Sequence, residues 1–258
     1  MSHTALITGA SSGIGAEFAR YHAKQGGDLV IVARRSAPLD ALKTELEAAH
    51  GITVTVMAQD VGTPDHAKEL YEAVKAKGIA VDILINNAGF GGHGAFLGRD
   101  LAKDQAMIDL NISALVTLSH LFGNDMKAAN GGKMLQVSST ASFLPGPNQA
   151  VYYATKAFVT SFSQAIDQEM RKDGITSTAL CPGLVSTEFV ASADLEGTGL
   201  ADQKGASAAS VAKCGYDAMI KGKLIAVNER KLSFMMNWII PFLPRRQVLK
   251  MVEGMQTK

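Results

Sequence analysis

The chain of 258 residues carries 25 lysines and arginines against 24 acids, and a net charge of +1 supplies no field that would gather a nucleic acid. Hydrophobic residues make up 47% and charged residues 19%, a balance that excludes disorder as the main state and can cover both faces of a sheet. Cys181 and Cys214 form no spaced pair or Cys/His cluster, so neither a metal site nor a disulfide framework is indicated, and a cytoplasmic protein is expected.

Residues 1–8 run directly into an apolar strand, without the pattern of an export signal. Short β-rich runs then alternate with longer segments of helical period, and strands are predicted over 4–8, 29–33, 54–58, 82–85, 133–137, 176–180 and 224–227. Most of these strands are apolar throughout, as expected where helices cover both faces of a parallel sheet. The reading is one α/β Rossmann domain over 1–258, with a doubly wound, parallel, seven-stranded sheet between two helical layers.

The first strand ends in Thr8-Gly9-Ala10-Ser11-Ser12-Gly13-Ile14-Gly15, and a helix is predicted to follow. Glycines permit the tight turn, and the free N–H groups at the helix start attract a pyrophosphate. An ordinary glycine-rich turn would look the same in isolation. The second strand runs into Arg34-Arg35 and lacks the acid that would accept the ribose hydroxyls of NAD, so the guanidinium groups suit a 2′-phosphate and NADP(H) is favoured over NAD(H). Arg34 is expected to make the main contact.

A helix over 149–172 is predicted, with Ala154, Phe158, Phe162, Ile166 and Met170 as its core-facing stripe. Tyr152 and Lys156 stand one turn apart on it, and a nearby ammonium favours the phenolate of a tyrosine whose ordinary pKa is about 10. Ser139 follows the fifth strand, at the sheet edge where open parallel sheets bind ligands. Tyr153 lacks the lysine spacing and is read as packing. Cys181 is read as a small buried residue with no basic group beside it, and His93 as a solvated loop histidine.

At this point the chain resembles the short-chain dehydrogenase/reductase family along almost its whole length. The resemblance rests on the Thr8-to-Gly15 loop, Asn86-Asn87-Ala88-Gly89, Asn111, Ser139 followed by Tyr152-x-x-x-Lys156, and Pro182-Gly183 with Thr187. It implies Tyr152 as the proton-transfer residue and Ser139 as the group polarising the substrate oxygen. Lys156 would hold the nicotinamide ribose and depress the tyrosine pKa, and Asn111 would order a water path to the lysine. Asp60 and Val61 resemble adenine contacts, Asn87 borders the cofactor cleft, Pro182 and Gly183 resemble cofactor contacts, and Thr187 resembles the residue contacting the carboxamide or phosphate side. No metal is required. A homodimer or homotetramer is the family's usual state.

Residues 184–206 lack periodicity and resemble a substrate lid. The segment 229–258 is apolar at its start, and three readings of 234–246 stay open: a cap over the substrate pocket, a subunit interface, or shallow membrane docking with the arginines near headgroups. Cap or interface ranks above membrane, because two prolines interrupt the helix and the overall charge is nearly neutral. The run over 234–243 is too short to span a bilayer.

The function expected is hydride transfer between the nicotinamide and a ketone, aldehyde or secondary alcohol. A cofactor-sensing protein without turnover is the competing reading, and the intact Ser139/Tyr152/Lys156/Asn111 set argues against it. The chain is short for a sugar-nucleotide epimerase. A reductase of carrier-bound acyl groups stays within the enzyme class and would need a basic docking patch.

Overall fold

The computed structural model describes residues 3–257. Six strands, β1 (Thr4–Thr8), β2 (Asp28–Ala33), β3 (Val54–Ala58), β4 (Ile83–Asn86), β5 (Gly132–Val137) and β6 (Ile175–Leu180), join a short closing strand, Ile225–Ala226, in one parallel sheet. The order is β3-β2-β1-β4-β5-β6 followed by the closing strand. Successive connections run outward from β1 in one direction and then, after β3, outward from β4 in the other. The helices following β1 and β4 therefore diverge and open a crevice at the carboxyl ends of the strands.

The uniformly apolar strands follow from burial on both sides. Ala5 and Ile7 pack in one layer with Phe18, Leu39 and Tyr216, whereas Leu6 between them points into the other with Leu70, Leu118 and Phe122. Helices Gly13–Lys24, Ser36–His50 and Ala208–Ile220 cover the first face. Helices Pro64–Ala76, Leu115–Ala128 and Ala150–Met170 cover the second. The helical span Leu101–Ala128 is long and apolar enough to cross a membrane by length and composition. Here Leu115, Leu118, Phe122 and Met126 are buried, so it serves as a core helix. A π-helical stretch, Asp109–Ala114, interrupts it at Asn111.

The core-facing stripe expected on Ala150–Met170 is corrected by the structure. Ala154 and Phe158 are exposed, and Phe158 stacks on Phe162 with ring centroids 5.8 Å apart. The buried face is instead Tyr152, Thr155, Lys156, Val159, Thr160, Ser163 and Asp167. A strict four-residue repeat advances about 40° per step and winds around the helix, so only its far end, Ile166 and Met170, meets the core. The true inner face is polar because its groups find partners: Ser163 Oγ lies 2.9 Å from Ser177 Oγ, and Asp167 accepts from Ser177 N.

The segment 184–206 is partly ordered by pairing of Val185–Ser186 with Ala206–Ser207, and it contains a one-turn helix, Phe189–Ser192. The segment 229–258 divides in two. Its final helix, Arg245–Gln256, covers the site with Val248 and Val252 packed in a cluster with Met107, Tyr152 and Tyr153. The aromatic part before it faces outward: Phe234, Met235, Trp238, Ile239 and Phe242 are exposed, and only Met236 and Ile240 turn inward.

Gln256 locks the final helix down. Its side chain accepts from Gln149 Nε2 at 2.6 Å and donates to Tyr153 OH at 3.1 Å, and its carbonyl meets His93 Nε2 at 2.6 Å. His93 is therefore an anchor for this helix, not a solvated loop residue. Gln256→Ala leaves buried polar groups of Gln149 and Tyr153 without partners, and a loss of ~1–3 kcal/mol is expected in urea unfolding. An unchanged unfolding midpoint would show that these bonds contribute nothing.

Candidate active site

The crevice at the β1/β4 divergence is a cavity of about 870 Å³. It runs from the glycine loop to the start of the helix Ala150–Met170. Of the residues expected to bind a cofactor, Gly9, Ser11, Ser12, Gly13, Ile14, Arg34, Arg35, Asp60, Val61, Asn87, Pro182, Gly183 and Thr187 line it, together with Ser139, Tyr152 and Lys156. Gly15 and Asn111 do not; both lie behind the wall.

Gly15 acts from behind as a spacer. A Cβ there would lie 2.2 Å from Gly9 O and 2.6 Å from Asn87 Nδ2. Gly9 and Gly13 have φ of +67° and +56°, the left-handed region that side chains resist. Asn87 Nδ2 donates to Thr8 O and Gly9 O, while Thr8 Oγ1 accepts from the Asn87 and Ala88 amides at 3.0 Å. The strand-end asparagine thus shapes the loop from below. A dinucleotide fits this cradle: glycines and two small serines leave the loop backbone close to the cavity, and the helix Gly13–Lys24 presents its free N–H groups to it.

At the far rim the two arginines differ. Both are exposed, and Arg35 donates to Ser11 Oγ, Ser12 Oγ and Glu188 Oε2 at 3.2–3.3 Å. Arg35 reaches the glycine loop, and Arg34, the expected main cofactor contact, lines the same cavity. Glu188, 153 residues further along the chain, was not legible as its partner.

Tyr152 is buried at the other end, with Phe189 and Tyr153 rings 5.5 and 6.1 Å away. Burial pushes its phenol well above the ordinary tyrosine range, and the facing Ser139 hydroxyl pulls it back only in part. Lys156 Nζ donates to Val137 O at 2.9 Å and stands 5.9 Å from the Tyr152 ring centroid. In this arrangement burial favours the neutral phenol, the direction opposite to the depressed pKa that the resemblance implies. A neutral phenol is a proton donor.

Lys156 itself is lowered to about 8 by burial. An unfolded lysine holds its proton to about pH 10.4. Above pH 8 the folded chain has therefore released a proton that the unfolded chain still binds, so this group's contribution to stability rises with pH from about 8 to about 10. Below 8 the buried charge is a cost. Lys156→Met removes that cost, so its stability relative to the parent is expected to decline by on the order of 3 kcal/mol across this window. Urea unfolding at pH 7, 8.5 and 10 measures it, and a pH-independent difference would refute it.

Asn111 is fully engaged as a clamp: Oδ1 accepts from Phe90 N, and Nδ2 donates to Phe90 O and Thr155 Oγ1. A Cβ on Gly89 would lie 2.9 Å from Asn111 Oδ1 and 3.4 Å from Lys156 Nζ, so the glycine keeps these two groups within reach of each other. Cys181 has a basic neighbour after all in Lys156, but burial dominates and raises its thiol, leaving it unreactive. Residues that sequence reasoning missed include Phe90, Ala141 and Phe189, which pack in one cluster with Tyr152, and Leu110, Leu195 and Leu200 elsewhere along the cavity lining, none marked by a motif.

Residues 3–196 match the family model described as short chain dehydrogenase. The chain is similar to a 3-oxoacyl-[acyl-carrier-protein] reductase of Synechocystis sp., 31% identical over 196 residues that cover 76% of this chain and 79% of that one. It is also similar to human 17-beta-hydroxysteroid dehydrogenase type 3, at 34% over 192 residues, 72% of this chain and 60% of the relative. Among solved structures, a short-chain dehydrogenase from Sphingobium yanoikuyae in complex with NADPH superposes with a TM-score of 0.83 at 29% identity, covering 90% of each chain. A cradle for a dinucleotide, a buried tyrosine facing a serine, and a family match over most of the length lead to one conclusion: the chain belongs to the short-chain dehydrogenase family of NAD(P)-dependent oxidoreductases acting on carbonyl and alcohol groups.

Proposed function

We propose that this chain is an NADP(H)-dependent oxidoreductase that interconverts ketones or aldehydes bearing apolar substituents with their alcohols. The observation that carries the reading is the buried Tyr152 opposite Ser139, packed with Phe90 and Phe189 at one end of a cleft whose other end is the glycine loop. Bound NADPH supplies the hydride. In reduction Tyr152 donates its phenolic proton to the carbonyl oxygen and Ser139 donates a hydrogen bond to the same oxygen, so the carbon gains hydride and the oxygen gains the proton. In the reverse direction Tyr152 accepts the proton of the alcohol. Lys156, one turn along the helix, holds the cofactor ribose and returns the proton to the tyrosine. Asn111 keeps the Phe90 backbone and the helix in register around that lysine.

Phe90, Leu110, Phe189, Leu195 and Leu200 favour an apolar substrate by burial of its surface. Two relatives act, by their names, on an oxoacyl group and on a hydroxysteroid. The cofactor preference rests on Arg34-Arg35 at the end of β2, where an acid is missing. Equilibrium titration is expected to give NADPH a Kd at least about tenfold below that of NADH. Arg34→Gln with Arg35→Gln is expected to remove most of that preference, since charge-assisted bonds to phosphate are worth about 1.5–3 kcal/mol. A preference for NADH would overturn the assignment. Tight NADPH binding with no turnover across aromatic, alicyclic and acyl ketones would favour a cofactor sensor.

A further inference from the structure

The segment Arg230–Phe242 runs without a break through helical, π-helical and 3-10 turns, so Pro241 does not divide its outer face. Phe234, Trp238 and Phe242, spaced by four, lie on that face with Met235 and Ile239 beside them. Exposures of 60%, 66% and 79% leave most of the surface of these three aromatics uncovered by this chain. The opposite side holds Met236 and Ile240, which fasten the segment to the body of the protein. Its first turn rests on the cleft wall: a Cβ on Gly183 would lie 2.7 Å from Leu232 Cδ2.

Charge around this face departs from the neutral average of the chain. Arg230, Lys231, Arg245, Arg246 and Lys250 are all exposed, and no acid occurs between Glu229 and Glu253. An aromatic strip bordered by cations at both ends matches the two layers of an anionic bilayer surface, apolar chains below and phosphates above. A second copy of the chain fits less well, because a two-fold contact through this strip would bring the like-charged borders together.

We propose that Phe234, Trp238, Ile239 and Phe242 dock this protein peripherally on a bilayer containing anionic lipid, with Arg245 and Arg246 at the phosphate level. The docked face would place the cleft wall at Gly183 beside the membrane surface. Trp238 is the only tryptophan of the chain, so its emission reports this face alone.

The full chain is mixed with vesicles of phosphatidylcholine and with vesicles of phosphatidylcholine plus phosphatidylglycerol. Co-sedimentation and a blue shift of Trp238 are expected with the anionic vesicles only, reversed by salt. Each cation near such a surface contributes roughly fivefold to binding, so Arg245→Gln with Arg246→Gln should weaken it roughly 20-fold. Phe242→Ser should weaken it about tenfold or more. Both variants should keep the parent's thermal unfolding midpoint, which separates loss of docking from loss of fold. No shift and no sedimentation with anionic vesicles would overturn the proposal, as would binding that survives the double arginine substitution. A blue shift that grows with protein concentration without vesicles, accompanied by a doubling of mass, would assign the face to a second copy.

Discussion

Tyr152→Phe is expected to lower ketone reduction by about 10³-fold while NADPH affinity and unfolding midpoint stay close to those of the parent. The substitution removes one oxygen from a ring that otherwise packs against Phe189 and Tyr153, so its neighbours have no reason to move. What disappears is the proposed proton donor. Ser139 cannot replace it, because an ordinary hydroxyl is far more reluctant to give up a proton than a phenol. Ser139→Ala should cost about 10²-fold, the typical value of one donor aimed at a developing oxyanion. The measurement is single-turnover oxidation of NADPH with a saturating ketone, which reads the chemical step without product release. Phenylalanine at 152 with more than a tenth of the parent rate would place the proton donor on another group.

Gly15→Ala is the second large effect, and here binding and folding fail together. The new methyl would stand 2.2 Å from Gly9 O, a backbone atom, and 2.6 Å from Asn87 Nδ2, the end of a side chain that hydrogen bonds hold in place. The Asn87 amide is already committed to Thr8 O and Gly9 O, so displacing it releases the turn it supports. Overpacking of this kind costs about 1–3 kcal/mol, and a distorted loop should weaken NADPH by about 10²-fold or more. Gly254→Ala is the matched control. It adds the same methyl to the exposed side of the final helix, where nothing lies within 4 Å, and is expected to be neutral or stabilising by up to about 1 kcal/mol. Thermal unfolding and NADPH fluorescence titration of the two variants test the contrast; equal behaviour would show that the loop has room to adjust.

The strands and the sites borne by one local element were readable in the amino-acid sequence. Strand positions followed from apolar runs, and the observed bounds differ from those expected by a residue or two. The glycine loop was legible because its chemistry is backbone chemistry confined to consecutive residues. Tyr152 and Lys156 were legible because a helix converts a spacing of four into a shared face. Ser139 could be added because strand ends in an open parallel sheet converge on one edge.

Other features were decided by tertiary packing. The buried face of Ala150–Met170 is largely polar, and hydrophobicity pointed to a different stripe because Ser163 and Asp167 find their partners on β6. Gln256 joins Gln149 across 107 residues of chain, and Arg35 meets Glu188 across 153. Asn111 turns out to hold the Phe90 backbone, and Lys156 to hold the Val137 carbonyl. Apolar character alone also left open whether Trp238 and Phe242 lie inside or outside. Periodicity and backbone chemistry act over one or two turns, so the sequence by itself determined the elements, their order and the local motifs. Which polar group meets which partner, and which apolar face remains uncovered, depends on how distant elements pack, and only the tertiary structure decided those.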